Sequence, residues 1–189
     1  MYRYSMYTKI QRWLKQEGVL FFKDIGFQPG NRVLDFGCGK GNYTIPAAEV
    51  VKGNGLVYAL DKDRFVLGNL MDKASSLGIF NIVPVHNLKE LRRSLRNDLL
   101  DAVLFYDVIH SYYFAADERE SLLTSISTMV KRNGIISIFP RHMDRYEISA
   151  ILDTLVKLGF YLEKEQSTNL IHDDRYEVGC TMNFRKNFG

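Results

Sequence analysis

Cysteine is scarce in this sequence: only Cys38 and Cys180 occur among 189 residues. Two thiols so far apart do not provide the disulfide framework of a small secreted protein, and a reduced, cytoplasmic protein is the simple expectation. No apolar run approaches the roughly 20 residues of a transmembrane helix, and the N-terminus is aromatic and polar, without the apolar core of a signal peptide. Neither a membrane protein nor a disulfide-rich secreted protein is expected.

An excess of charge is also missing, because 25 basic and 22 acidic residues leave a net charge of +3. So small a charge does not argue for a nucleic acid partner. The densest basic group has no aromatic residues between its members, and we interpret it as the solvated face of a helix. This group is Lys89, Arg92, Arg93 and Arg96. The hydrophobic share of 46% and the charged share of 25% are ordinary globular values, and one domain with a sizeable core is expected.

The most informative stretch runs from Arg32 to Tyr43 and reads Arg-Val-Leu-Asp-Phe-Gly-Cys-Gly-Lys-Gly-Asn-Tyr. Its apolar start predicts the end of a buried strand, and Gly37, Gly39 and Gly41 predict a tight turn into a helix. Glycine permits a positive φ and, having no Cβ, lets a ligand lie against the backbone. The free N–H groups of the next helix point at such a ligand. We interpret Cys38 as a small residue tolerated in this turn rather than a reactive thiol. Together these features predict a nucleotide-type pocket at the carboxyl end of a parallel sheet.

The segment from Val33 to Gly41 resembles the first motif of the class I, Rossmann-like S-adenosylmethionine-dependent methyltransferases. The competing interpretation is a dinucleotide-binding oxidoreductase with the pattern Gly-x-Gly-x-x-Gly. Counted from Gly37, the third glycine of that pattern falls on Asn42, where it is missing. The spacing found is Gly-x-Gly-x-Gly with Asp35 two residues ahead, and it favours the methyltransferase.

The rest of the chain predicts further strand–helix units and a terminal hairpin. Pro84 predicts an edge position for the third strand. The resemblance implies an α/β fold, a Rossmann-like three-layer α/β/α sandwich whose mostly parallel seven-stranded sheet has the order 3-2-1-4-5-7-6, with strand 7 antiparallel. After the first motif, strands are predicted over 56–60, 81–86, 99–106, 134–139, 160–165 and 176–184, helices over 64–77, 116–130 and 144–158, and a turn at 132–133.

Residues 1–30 precede the predicted methyltransferase domain, which spans 31–189. Met6 to Trp13 is predicted as an amphipathic helix and Val19 to Phe27 as a second, apolar one, stopped by a Pro-Gly turn. The aromatic residues at the start either pack this segment onto the sheet or form a lid over cofactor and substrate. They are Tyr2, Tyr4, Tyr7 and Trp13.

Acidic and amide side chains follow the second and third strands. Asp61 comes about twenty residues after the glycine turn, where an acid accepts hydrogen bonds from a ribose diol in Rossmann-type sites. Asp63 competes for this role but suits the N-cap of the next helix. After the third strand the resembled family often has an aspartate that binds the adenine amino group; here Asn87 offers an amide oxygen, and His86 is structural or flanks the base. The resemblance implies S-adenosylmethionine as cofactor, S-adenosylhomocysteine as its product, and binding by Asp35, Gly37, Cys38, Gly39, Gly41, Tyr43, Asp61, Lys62, Asn87 and Asp107.

The loop after the fourth strand is expected to carry the acceptor chemistry. His110 is the candidate general base, because imidazole takes up a proton near neutral pH. Alternatively, His110 packs on the cofactor or hydrogen-bonds it. The same loop carries Tyr112, Tyr113 and Phe114, which orient an acceptor or simply pack. After the fifth strand, basic residues either meet an anionic acceptor or face solvent; they are Arg141, His142 and Arg145.

Missing motifs narrow the class of acceptor. Amino-methylating DNA enzymes of this fold carry Asp/Asn-Pro-Pro-aromatic after the fourth strand and cytosine-C5 enzymes a Pro-Cys nucleophile, whereas this chain has Asp107-Val-Ile-His110. Catechol-type enzymes need metal-binding carboxylates after both the fourth and fifth strands, but Pro140-Arg-His-Met143 offers none. Arsenite methylation needs several cysteines. The sequence therefore predicts a metal-independent methyltransferase for a small molecule, with no membrane partner. The alternatives are a non-catalytic S-adenosylmethionine-binding sensor or partner subunit, a protein or RNA acceptor, and a nicotinamide-dependent reductase.

Overall fold

The computed structural model describes residues 9–172 and 175–187, and a seven-stranded sheet forms its centre. The strands lie in the order β3-β2-β1-β4-β5-β7-β6. The first five run parallel to one another, and β7 is antiparallel to both of its neighbours. The predicted strand order and the antiparallel seventh strand are confirmed, as is the edge position of the strand that contains Pro84. The strands are β1 (Arg32–Phe36), β2 (Leu56–Leu60), β3 (Ile82–Val85), β4 (Leu100–Tyr106), β5 (Val130–Phe139), β6 (Phe160–His172) and β7 (Arg175–Lys186).

Helices cover both faces of this sheet. The first three helices contribute buried side chains to a core on one face, and the other three contribute to a second core on the opposite face. This arrangement confirms the three-layer α/β/α sandwich. None of the helices in the described ranges is both long and apolar enough to cross a membrane. The helices are α1 (Gly18–Asp24), α2 (Thr44–Val51), α3 (Arg64–Ser76), α4 (Leu88–Leu95), α5 (Ala116–Ser127) and α6 (Arg145–Lys157).

The central strands are apolar on both sides because both sides are covered. Val33 of β1 packs into the first core and Leu34 into the second, and both side chains are fully buried. In β4, Leu104 and Phe105 divide between the two cores in the same way. Successive side chains of a strand point to opposite faces, so a strand covered on both faces needs a continuous apolar run. Each such side chain contributes about 1.5–3 kcal/mol to the stability of the fold.

Three boundaries differ from the predictions. The turn predicted at Arg132–Asn133 is wrong, because these residues lie inside β5, where an irregularity opposite Leu100 and Ala102 of β4 absorbs the extra residues. Asn133 has a φ of 61° there, a conformation that asparagine tolerates better than most residues. Helix α5 consequently ends before residue 130. Strand β6 continues to His172, beyond its predicted end, because its residues go on pairing with β7. The polar residues after its predicted end lie outside the core, whereas Leu170 and Ile171 are buried in it.

The N-terminal segment forms one helical run in its described part rather than two separate helices. A π-helical turn (Trp13–Glu17) leads directly into α1. Trp13 is buried, its indole N–H donates to the Asn42 carbonyl oxygen over 2.8 Å, and its ring meets the edge of Tyr43. The packing interpretation therefore holds for Trp13. The predicted aromatic contributors Tyr2, Tyr4 and Tyr7 lie outside the described residues, and the lid role of residues 1–30 stays a prediction.

Candidate functional site

A cavity of about 590 Å³ lies at the carboxyl ends of the parallel strands, between the glycine turn and the loops after β2, β3 and β4. Its lining includes these residues predicted to bind the cofactor: Gly37, Gly39, Asp61, Lys62, Asn87 and Asp107. Its apolar lining includes Phe36, Leu60, Leu88, Val108, Phe114 and Leu122. The predictions did not single out Leu88, Val108 or Leu122, because an apolar side chain beside a ligand looks the same in sequence as one in the core. Within the described ranges, no residue before Phe36 lines this cavity.

The glycine turn has one face that is open to a ligand. A Cβ placed on Gly37, whose φ is 76°, would lie 2.5 Å from Cγ2 of Val108, so the backbone there is packed closely. At Gly39, whose φ is 49°, the nearest atom to an added Cβ is the Gly37 carbonyl oxygen, 4.0 Å away. Gly39 also lines the cavity, so its missing side chain leaves space that a bound molecule can fill.

Asp61 connects the glycine turn to the end of β2. One of its carboxylate oxygens accepts the Gly39 N–H over 3.0 Å, and the other accepts the Asp63 N–H over 3.0 Å. Asp63 is the N-cap of α3, accepting the N–H groups of Phe65 and Val66, which confirms its predicted role. Because a carboxylate has about four acceptor positions, Asp61 retains capacity for a ribose diol.

Asp35 lies behind the turn, buried at 2% exposure, and is not part of the cavity lining. Its carboxylate accepts a hydrogen bond of 2.6 Å from the Thr44 hydroxyl, a partner that the motif had not indicated. Burial raises the pKa of Asp35 to about 6; the Thr44 hydrogen bond acts against this rise, and the nearby negative charge of Asp61 adds to it. The ionised form is therefore costly in the ligand-free protein, and a positively charged ligand group nearby would lower that cost.

Three other predicted cofactor residues, Cys38, Gly41 and Tyr43, pack inside the protein. Burial raises the pKa of the Cys38 thiol, which stays protonated. A Cβ on Gly41 would overlap a side-chain methyl group of Leu70. The Tyr43 hydroxyl donates to the Ile171 carbonyl oxygen over 2.7 Å and accepts the Ile171 N–H over 3.1 Å. Tyr43 thus joins the start of α2 to β6, and a cofactor contact for these three residues stays a prediction.

We expect Tyr43→Phe to lower the free energy of unfolding by about 1–2 kcal/mol, because the buried backbone groups of Ile171 lose their partner. Urea denaturation measures this change. The affinity for S-adenosylmethionine should stay within about a factor of two, or about 0.4 kcal/mol, because Tyr43 is not among the residues that line the cavity. A loss of affinity without a loss of stability would instead support the predicted cofactor contact of Tyr43.

Asn87 has a structural task as well as a place in the cavity. Its side-chain oxygen accepts the Glu90 N–H over 2.9 Å, so Asn87 is the N-cap of α4. The Glu90 carboxylate in turn accepts the His86 N–H over 2.9 Å. An amide oxygen has two lone pairs, so a contact to the adenine amino group stays a prediction, as does the placement of His86 beside the base.

The loop after β4 places Asp107 and His110 at different depths. Asp107 lines the cavity, whereas His110 does not and is only 3% exposed. The two atoms His110 Nε2 and Asp107 Oδ1 are 3.7 Å apart. Burial lowers the pKa of His110, and the Asp107 charge acts against this. Tyr113 and Phe114 line the cavity, while Tyr112 is mostly exposed. The general-base candidate thus lies behind the cavity wall, and its catalytic role stays a prediction.

The basic residues after β5 have partners within the protein. Arg141 pairs with Glu177 at 2.8 Å, and Nδ1 of His142 is 2.9 Å from Oδ1 of Asp107. The Arg145 guanidinium lies over the Tyr146 ring, 4.8 Å from its centroid. The predicted meeting with an anionic acceptor therefore has no support from these contacts.

The family model described as a methyltransferase domain matches residues 33–134, just over half of the chain. The chain belongs to this family. Membership confirms the predicted superfamily and its cofactor, S-adenosylmethionine. The matched range includes the glycine turn, Asp61, Asn87 and the loop after β4, and so contains all the elements that build the cavity.

Individual relatives share limited sequence identity with this chain. Over 129 residues the chain is 26% identical to magnesium-protoporphyrin O-methyltransferase of a Synechocystis species, covering 68% of this chain and 50% of the relative. Over 62 residues it is 32% identical to a probable cobalt-precorrin-6B C(15)-methyltransferase (decarboxylating) of Saccharolobus solfataricus, covering 33% and 31% of the two chains. The chain therefore spans at most about half the length of these relatives.

A solved structure shares the fold. Magnesium protoporphyrin IX methyltransferase from Synechocystis, with bound S-adenosylmethionine, superposes with a TM-score of 0.63 and 19% identity, covering 98% of this chain and 80% of that one. Identity at this level shows a common fold.

Proposed function

We propose that this chain transfers a methyl group from S-adenosylmethionine to a small-molecule acceptor. The observation that carries the proposal is the cavity at the carboxyl ends of β1 to β4, where the open face of Gly39 and the carboxylate of Asp61 share one wall. In an open α/β sheet this edge is where nucleotides bind.

Methyl transfer from S-adenosylmethionine requires the protein mainly to position the two reactants. S-adenosylmethionine carries its own leaving group, a sulfonium, so the enzyme must align the attacking atom with the methyl carbon and exclude water. In the proposed complex Asp61 binds the ribose, Asn87 meets the adenine, and the glycine turn with Asp35 behind it holds the methionine end. The apolar side chains of Val108, Phe114 and Leu122 exclude water.

The names of two relatives support a small acceptor. The cavity of about 590 Å³, within the range of roughly 300–1,000 Å³ that small-molecule sites span, is the proposed site of the cofactor. The curated relatives are named for magnesium-protoporphyrin and cobalt-precorrin, which are both small molecules. The basic group on α4 is interpreted as a helix surface and not as a nucleic acid site. In line with that interpretation, Arg92 of this group donates hydrogen bonds to Ser125 of the neighbouring helix, which supports a structural role for that arginine.

Calorimetric titration with S-adenosylmethionine, S-adenosylhomocysteine and NADH in parallel tests the proposal. We expect S-adenosylmethionine and S-adenosylhomocysteine to bind with a Kd on the order of micromolar, which corresponds to a binding free energy of about −8 kcal/mol. NADH should not bind. Binding of NADH alone, or of none of the three, would contradict it. Transfer of a labelled methyl group in a screen of tetrapyrrole and other small acceptors then separates an enzyme from a non-catalytic binding protein.

We expect Asp61→Ala to weaken S-adenosylmethionine binding by about 1–3 kcal/mol, because a buried ribose hydroxyl pair loses its acceptor and the turn loses the Gly39 contact. Calorimetry measures the change in Kd. Asp63→Ala is the matched control: it removes a neighbouring carboxylate that caps α3, and should lower stability by about 1 kcal/mol while leaving Kd unchanged. Equal Kd values for Asp61→Ala and the unaltered chain would remove the ribose assignment.

A further inference from the structure

Three of the four histidines of the chain converge on Asp107, and we refer to Asp107, His110, His142 and His172 as the histidine cluster. His110 lies in the loop after β4, His142 in the loop after β5, and His172 at the end of β6. Nδ1 of His142 is 2.9 Å from one oxygen of Asp107, and Nδ1 of His172 is 2.7 Å from the other. The third histidine reaches Asp107 from the buried side through His110 Nε2, at 3.7 Å.

The distances within this cluster suit a metal ion. Asp107, His110 and His142 each offer one ligand atom, and these atoms all lie within 4.8 Å of one another. A tetrahedral zinc site with bonds of about 2.0–2.2 Å separates neighbouring ligand atoms by about 3.3–3.6 Å. Only small side-chain movements are needed to bring the three groups around one ion. Two imidazoles and a carboxylate are donors that zinc and other first-row transition metals prefer.

The buried histidine gives a second reason. His110 is 3% exposed, and within the described ranges its Nδ1 has no hydrogen-bond partner. The 3.7 Å from its Nε2 to the Asp107 oxygen is longer than a hydrogen bond. The nitrogen that faces Asp107 is Nε2, and this buried atom can take an ion as its partner, whereas Nδ1 points away from Asp107 and is not part of the proposed site. The His110 ring lies 5.6 Å from the His142 ring.

We propose that Asp107, His110 and His142 bind a divalent transition-metal ion, Zn²⁺ in the first place. His172 is then a positioning residue that holds the second oxygen of Asp107. Three protein ligands leave a coordination position for a further molecule. Because Asp107 also lines the cavity, the ion lies at the cavity edge. Mg²⁺, which requires oxygen ligands in octahedral geometry, does not suit this donor set.

This proposal departs from the expectation of a metal-independent enzyme. That expectation rested on the missing carboxylate after β5, which argues against Mg²⁺ but not against an ion that prefers imidazole. Metal binding stands independently of the proposed methyl transfer, since its measurement needs neither cofactor nor acceptor.

Titration of the full chain with Zn²⁺ after treatment with a chelator tests the site, with Co²⁺ as a spectroscopic probe and Mg²⁺ for comparison. We expect one Zn²⁺ per chain, visible absorption bands from bound Co²⁺, and no binding of Mg²⁺. His142→Ala is the variant to choose, because His142 is the most exposed of the three proposed ligands. It should weaken Zn²⁺ binding by more than about 100-fold, since loss of an outer-shell partner alone costs about 10–100-fold.

His86→Ala is the matched control, because it removes the fourth histidine, which lies outside the histidine cluster, and should leave Zn²⁺ affinity unchanged. His172→Ala should weaken Zn²⁺ binding by about 10–100-fold and shift the Co²⁺ absorption bands. Circular dichroism establishes that each variant is folded before titration. Failure of the unaltered chain to take up one Zn²⁺ or Co²⁺, unchanged affinity in His142→Ala, or equal losses in His142→Ala and His86→Ala would overturn the proposal.

Discussion

The Gly39→Val variant is expected to bind S-adenosylmethionine at least about 100-fold more weakly than the unaltered chain, a loss of about 2.7 kcal/mol. The reason is the open face of the glycine turn, where a new side chain would occupy cavity space that is otherwise filled by the ligand. Calorimetry measures the affinity, and urea denaturation measures the stability. The fold should persist, because an added Cβ meets no protein atom closer than 4.0 Å.

Backbone strain must be separated from this steric effect, because Gly39 has a φ of 49° and a left-handed conformation costs a side-chain-bearing residue roughly 1–2 kcal/mol. Gly53→Val is the matched control. Gly53 has a φ of 54°, has no atom within 4 Å of an added Cβ, and is not among the residues that line the cavity. Both variants should lose similar stability, but only Gly39→Val should lose affinity. Tight binding by Gly39→Val would contradict the placement of the ligand against this turn.

The ligand-free Asp35→Asn variant is expected to be more stable than the unaltered chain at pH 7, by up to about 3 kcal/mol. The pKa of Asp35 is about 6 in the folded protein against an ordinary value of 3.8. One pKa unit corresponds to about 1.36 kcal/mol. The folded state binds the Asp35 proton more tightly than the unfolded state does, so protonated Asp35 stabilises the unaltered chain. This contribution is fully present below about pH 4 and is lost as pH rises through about 6. Asparagine keeps an oxygen that can accept the Thr44 hydroxyl hydrogen bond, and it has no charge to bury.

Urea denaturation of both proteins from pH 4 to pH 7 measures this difference. The gain in stability should be small at pH 4, grow to about pH 6 and stay level above it. A gain that is the same at every pH would contradict the raised pKa of Asp35. The same variant should bind S-adenosylmethionine more weakly, because the positive charge of the ligand loses a nearby carboxylate. Such an exchange of stability for function is common at binding sites.

Features governed by local rules were predictable from the sequence. The glycine turn follows from Gly37, Gly39 and Gly41, since few other residues adopt a positive φ at low cost. The N-cap role of Asp63 follows from its position at the start of a helix. The edge position of β3 follows from Pro84, which cannot donate to a neighbouring strand.

Features that depend on distant partners were not predictable in the same way. The hydroxyl of Tyr43 binds Ile171, a residue 128 positions away, so nothing near Tyr43 indicates this contact. The histidine cluster brings together loops after β4 and β5 and the end of β6, and each histidine taken alone is an ordinary polar residue. The raised pKa of Asp35 depends on complete burial, which exists only once α2 and β2 have packed around it.

The hydrogen bonds of the glycine turn also determine whether its backbone becomes ordered on folding or on ligand binding. The Leu60 carbonyl oxygen accepts the N–H groups of both Gly37 and Cys38, over 2.8 and 3.0 Å, and Asp61 accepts that of Gly39. All of these partners are protein groups, so the turn is held by contacts within the chain rather than by contacts with a ligand. Binding to a preorganised turn loses less entropy than binding to a mobile one. Free and ligand-bound forms should therefore differ little in backbone structure here, and glycine, the residue with the most freedom to lose, is ordered by folding rather than by the ligand.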